Sequence, residues 1–155
     1  MDEVKVFSGS IQYIKVEMGD ELFGIDISYV DNIVRMQRIT RVPNVAPFIK
    51  GVINLRGEII PIMSLRLKMG LEEIEETKAT RIIIVKMDQY GKIGFIVDAV
   101  KEVVTLDEEQ IENIKYDSKD DSIHFVTAVG KLSDSLVSLL DLNTVLLDKT
   151  AREEN

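Results

Sequence analysis

The sequence predicts a mostly β fold made of two small barrels. Two observations carry that prediction: an internal duplication, and about ten short strand-like runs with tight turns and little helix between them. The duplication is written twice. Gly24 to Val34 reads GIDISYVDNIV and recurs seventy positions later as Gly94 to Val104, GFIVDAVKEVV. A second echo links Ile59–Leu65, IIPIMSL, to Leu136–Leu142, LVSLLDL. Apolar runs resemble one another by chance, but the same two echoes in the same order in both halves are better explained by duplication.

Along the chain, Ile14, Val16 and Met18 alternate with polar residues up to a turn at Gly19-Asp20, the pattern of a strand entering a hairpin. Gly24–Val34 is expected to be a strand running into a short helical turn. Ser28 has a cap-type side chain, Ser28 and Asp31 approximate a capping box, and Val30, Ile33 and Val34 follow at helical spacing. Asn54–Glu58 is another tight turn, in which Gly57 supplies the positive φ that a side chain resists. Ile59–Leu65 is a strand ending at the cap candidate Ser64. Ile82–Val85 and Ile93–Val97 form a hairpin around Asp88–Gly91, and the Gly91 to Gly94 spacing belongs to that turn, since no helix opens after it as a nucleotide fingerprint requires. Asp98 then repeats the role of Ser28 before Val100, Val103 and Val104. Asp141 repeats that of Ser64 before a short C-terminal helix with Leu142, Val145 and Leu146 on its buried face.

The folded region is read as residues 11–148, with approximate sub-barrels at 11–78 and 79–148, strand crossover between them allowed, and flexible tails at 1–10 and 149–155. About sixty-five residues form only a marginal core, so the halves are expected to pack side by side. Their junction would leave a groove lined by the repeat-equivalent Val30 and Val100.

Composition narrows the function classes. The longest apolar run, Ile82–Val85, is far short of a membrane span, and Met1–Gly9 has two acids and no hydrophobic signal region, which reads as a soluble cytoplasmic protein. There is no cysteine for a disulfide, a thiolate zinc site or a nucleophile. The net charge of −8 disfavours a phosphate backbone as partner. The charge is uneven: Arg35, Arg38, Arg41, Lys50, Arg56 and Arg66 outnumber Asp31 and Glu58 over 31–67, whereas Glu72, Glu73, Glu75 and Glu76 form an acidic cluster beyond. Such patches solvate a surface or orient a protein partner. A single histidine, His124, cannot build a multi-histidine metal centre and reads as structural. Asp117-Ser118-Lys119-Asp120-Asp121 resembles a calcium loop, but Ser122 and Ala128 occupy the positions that need glycine and glutamate. No catalytic residue, metal or cofactor is assigned. A small β-barrel enzyme of hydrolase type with an unrecognised site is the alternative, and an oligonucleotide-binding barrel the weakest reading.

The stretch Phe48–Ile62, FIKGVINLRGEIIPI, resembles the most recognisable segment of the CheW family of chemotaxis coupling proteins. Gly24–Ile27 and Ile39–Pro43 before it, and Gly94–Asp98 after it, extend the resemblance over about 11–148. It implies a pair of five-stranded SH3-like barrels, and a non-catalytic adaptor joining the cytoplasmic tips of methyl-accepting chemoreceptors to the regulatory domain of the chemotaxis histidine kinase. The protein would sit in the cytoplasm at receptor arrays, held by protein contacts without membrane insertion or nucleic acid. Carried over by position, the receptor groove would comprise Ile14, Ile27, Val30, Ile33 and Val100. Core packing is the ordinary role of such residues, and repeat equivalence is what favours Val30 and Val100. Gly51 matches a position valued for lacking a side chain. The arginine equivalent to Arg56 pairs in that family with an acid on the first helical turn; here that position holds Asn32, so Arg56 would turn to Glu58 or to solvent. No residue is assigned to the kinase contact.

Overall fold

The computed structural model describes residues 9–117 and 124–146. The expected tails lie outside the described residues except for Gly9 and Ser10, as does the candidate calcium loop after Asp117.

Eleven strands are present among the described residues: β1 Ser10–Met18, β2 Glu21–Asp26, β3 Val30–Arg35, β4 Ile49–Leu55, β5 Glu58–Ser64, β6 Arg81–Met87, β7 Gly91–Val97, β8 Ala99–Asp107, β9 Ile111–Asn113, β10 Val126–Lys131 and β11 Leu136–Leu140. They form two sheets, one in the order β8-β1-β2-β11-β10-β9 and one in the order β3-β6-β7-β5-β4. The first has six strands and not five, because the three-residue β9 pairs with β10 after a 3-10 turn at Glu108–Gln110.

The three hairpins fall where the turn residues put them. Gly19 and Gly91 take positive φ at the β1–β2 and β6–β7 turns. At the β4–β5 turn both central residues do so, Arg56 at 54° and Gly57 at 87°, as a type I′ turn requires, and Asn54 Oδ1 accepts the Gly57 N–H at 2.9 Å.

The helical turns are a partial correction. Ile27–Tyr29 is a 3-10 turn, but Val30 already begins β3. The second copy has no helical turn, since Asp98 is a bend between β7 and β8. The β-branched Val30, Ile33, Val34, Val100, Val103 and Val104 lose rotamer freedom in a helix and pack well on a pleated surface, and here the pleat wins over the spacing. Nor does Ser28 cap with Asp31: its N–H and hydroxyl both donate to Asp26 Oδ1, at 2.9 and 2.8 Å. The other two caps hold. Ser64 Oγ accepts the Leu67 N–H at 3.2 Å, opening the short helix Leu65–Lys68. Asp141 accepts from Asn143 and Thr144 ahead of a helical turn over 142–146 that buries Leu142, Val145 and Leu146.

The sheets do not divide near residue 78. β6 and β7, which follow that boundary, pair with β3 and β5, which precede it. The chain forms two compact units: one holds 9–16, 20–28 and the described residues from Lys101 onward, the other Glu17–Gly19 and Tyr29–Val100. Each unit joins one echo from each half. β2 runs parallel to β11 with Gly24 opposite Leu139, and β7 runs parallel to β5 with Gly94 opposite Ile62. The duplication is therefore real in register, with the strands exchanged between copies. The first unit's core gathers Tyr13, Leu106, Ala128, Val137 and Leu139, and the second gathers Ile53, Ile60, Ile62, Ile82 and Ile84.

Candidate partner-binding surface

Strand β3 is an edge strand of the five-stranded sheet, and its register carries one irregularity. Val30 stands opposite Val85 but Asn32 opposite Ile84, so Asp31 is the extra residue of a bulge. Ile33 then stands opposite Ile83 and Val34 opposite Ile82. On a regular strand, residues three apart point to opposite faces. The bulge cancels that alternation, so Val30 and Ile33 share the face of Val85 and Ile83, while Asn32 and Val34 turn to the face carrying Ile82 and Ile84. Ile33 is 36% exposed and Val30 half-buried, leaving an apolar pair at a sheet edge.

The other sequence-predicted residues are placed as follows. Val100 is half-buried near the start of β8 in the same unit. In the first unit, Ile27 lines an open cleft of about 600 Å³ with Ser10, Ile11, Gln12, Asp26, Ser28 and Thr105. Ile11, which sequence reasoning passed over, adds an exposed apolar side chain there. Ile14 is only 4% exposed, so its side chain belongs to the interior.

Gly51 has a clear physical role. Its φ is 142°, and a Cβ there would lie 2.1 Å from the Thr40 carbonyl oxygen. Thr40 and Val52 exchange backbone hydrogen bonds of 2.8 and 2.9 Å across this point, so only glycine lets the two backbones meet. Asn32 accepts the N–H of Ile33 at 2.9 Å and does not engage Arg56. Arg56 is exposed, and its guanidinium has no hydrogen-bond or ion-pair partner among the described residues. Glu58 pairs instead with Lys92, at 2.9 Å, and Lys92 also reaches Asp31 at 3.4 Å.

A second charged cluster was hidden from sequence reasoning because its members are far apart in the chain. Arg66 clasps Asp98 with Nε at 3.0 Å from Oδ1 and Nη2 at 3.0 Å from Oδ2, and Asp98 Oδ2 also accepts the Gly19 N–H at 2.8 Å. Burial alone would raise the Asp98 pKa, but the hydrogen bonds from Arg66 and Gly19 outweigh it and hold the carboxyl below the usual aspartate range. The basic and acidic patches also meet within this unit: Lys50 pairs with Glu73, and Arg66 Nη1 donates to the Glu72 carbonyl at 2.7 Å. His124 stacks on Tyr116 with ring centroids 3.5 Å apart. Among the described residues no group of three or more His, Cys, Asp or Glu could hold a metal ion, and no helix is long and apolar enough to cross a membrane.

Two duplicated sheets of this topology place the chain among proteins built from SH3-like β units. The computed structure overlays on the crystal structure of the scaffolding protein TtCheW from Thermoanaerobacter tengcongensis with a TM-score of 0.80 at 34% identity, covering 90% of this chain and 94% of that one. A chemotaxis protein CheW from Bacillus subtilis is 37% identical over 124 residues, 80% of this chain and 79% of that protein. One from Helicobacter pylori is 34% identical over 137 residues, 88% of this chain and 81% of that protein. The family model of the CheW-like domain matches residues 12–149, and the chain belongs to the CheW family.

Proposed function

We propose that this chain is a non-catalytic adaptor that couples methyl-accepting chemoreceptors to the chemotaxis histidine kinase, acting in the cytoplasm at receptor arrays. Family membership supports the pathway, and the relatives it resembles are chemotaxis and scaffolding proteins by name. The observation that carries the receptor-binding half is the bulged edge of β3, which turns Val30 and Ile33 to one side with Ile33 still open to solvent. A helical hairpin from a receptor tip needs such apolar anchors ringed by polar groups. Ile14, Ile27 and Val100 are proposed receptor-contact residues as well, on the family resemblance alone. Gly51 and the Arg56-Gly57 turn shape the β4–β5 hairpin at the far end of the same sheet, and Asn32 lies on the core-facing side of β3. The regulatory domain of the kinase is the second proposed partner, on surfaces away from these residues.

Each anchor fully buried in the complex would contribute about 1.5 to 3 kcal/mol, enough to change affinity about tenfold or more. Val30→Glu is expected to leave a folded protein that retains the kinase regulatory domain in a pulldown and loses the receptor tip. Normal capture of the receptor tip by that variant would refute the assignment of this edge.

A further inference from the structure

The bulge in β3 decides which way Val30 and Ile33 point, so whatever holds the bulge controls the edge. Its extra residue, Asp31, is held by a cation from across the sheet. Lys92 on β7 is paired with Lys86 on β6, two residues from the Ile84–Gly94 pair and therefore on the face that carries Ile82, Ile84 and Asn32. From there its ammonium bridges Glu58 Oε1 on β5 at 2.9 Å and Asp31 Oδ2 at 3.4 Å. β3 and β7 are not neighbours, since β6 lies between them, so this contact spans two inter-strand steps.

We infer that Lys92 is a positioning residue for the partner-binding edge: it draws Asp31 toward the core-facing side of the sheet and so fixes the bulge that leaves Val30 and Ile33 on the other. The inference rests on the proposed role of Val30 and Ile33. Its physical content is a charge balance at one point. With Lys92 in place, two carboxylates share one ammonium. Without it, Asp31 and Glu58 face each other with no cation between them, and like charges separate. Asp31 is the group free to move, because an extra residue in a bulge has no ladder partner. Moving it loosens the register of β3 on the side where Val30 and Ile33 are set.

That mechanism predicts a pattern that a merely stabilising lysine would not produce. Lys92→Met should speed amide hydrogen exchange at Asp31–Ile33 about tenfold and weaken binding of a soluble chemoreceptor-tip hairpin about fivefold, leaving affinity for the kinase regulatory domain unchanged. Lys92→Arg should behave as the parent does. Adding Asp31→Asn to Lys92→Met should recover part of the loss, because it removes the repulsion. Unchanged exchange in Lys92→Met, or a double variant worse than the single one, would overturn the clamp. Faster exchange with unaltered tip affinity would overturn the role of the Val30–Ile33 edge while the clamp itself stood. If Lys92→Met does not fold, raising the ionic strength on the unaltered protein tests the same point. Salt screens a surface pair, so exchange at Asp31–Ile33 should rise, and an insensitive segment would overturn the inference.

Discussion

Asp98 sits at a junction of three backbone segments. Its own N–H donates to the Glu17 carbonyl at 3.1 Å, its carboxylate accepts the Gly19 N–H, and Arg66 grips both of its oxygens from the short helix after β5. Both side chains are less than one-fifth exposed, so the pair is screened less than a surface salt bridge. Asp98→Asn should cost about 1 to 2 kcal/mol at neutral pH by leaving Arg66 without its countercharge. Because folding depresses the Asp98 pKa, this contribution is fully present above the unfolded aspartate value of about 3.9 and disappears as pH falls through the lower folded value. Denaturant titrations of both proteins should therefore differ at neutrality and converge in acid; a pH-independent difference would contradict the assignment. Single residues were readable in the sequence where their partners are local. Ser64 and Asp141 cap the turns they precede, and Gly57 sits in its turn with positive φ. Asp98 looked like a third cap of the same kind, and nothing within four residues of it could reveal an arginine thirty-two positions away.

Among elements, the parallel pairs β2–β11 and β5–β7 repeat one solution. Gly24 faces Leu139, where an added Cβ would lie 2.9 Å from the leucine Cδ2; Gly94 faces Ile62, where it would lie 2.7 Å from the isoleucine Cδ1. Each glycine makes room for a branched side chain of its parallel partner, so the strands can close while both cores stay filled. Gly94→Val should cost about 2 kcal/mol or more in chemical denaturation, because the neighbours Ile62 and Ile82 are fully buried and have little room to yield. A neutral outcome would mean that the pairing is looser than its register indicates. The hairpins were legible from Gly19-Asp20, Arg56-Gly57 and Asp88–Gly91 because turn chemistry is local. The supposed helix after Ser28 was not, since a strand with a bulge imitates helical spacing, and neither was the one after Asp98, where β-branched residues at helical spacing sit in a strand. Val30 and Ile33 share a face three residues apart, as they would on a helix, but Asp31 is what aligns them.

For the molecule as a whole, duplication was visible and its wiring was not. Two copies in one order are equally consistent with each copy folding on itself and with strands exchanged between them, because local pattern does not say which β strand closes which sheet. Here β6 and β7 complete the sheet of β3, β4 and β5, and β11 completes that of β1 and β2, which moves the division far from residue 78. The repeat equivalence of Val30 and Val100 could be read from the sequence, whereas the cleft around Ile27 and the Lys92 clamp depend on contacts between distant strands. The central functional claim is that one chain holds two different proteins at once through separate surfaces. The direct test is light scattering on a gel-filtration column, with the unaltered chain mixed with a soluble receptor-tip hairpin and the isolated kinase regulatory domain. A single peak with the mass of all three components is the expected result, and Val30→Glu should reduce it to chain plus kinase domain. Two binary complexes that compete for the chain and never combine would contradict the account.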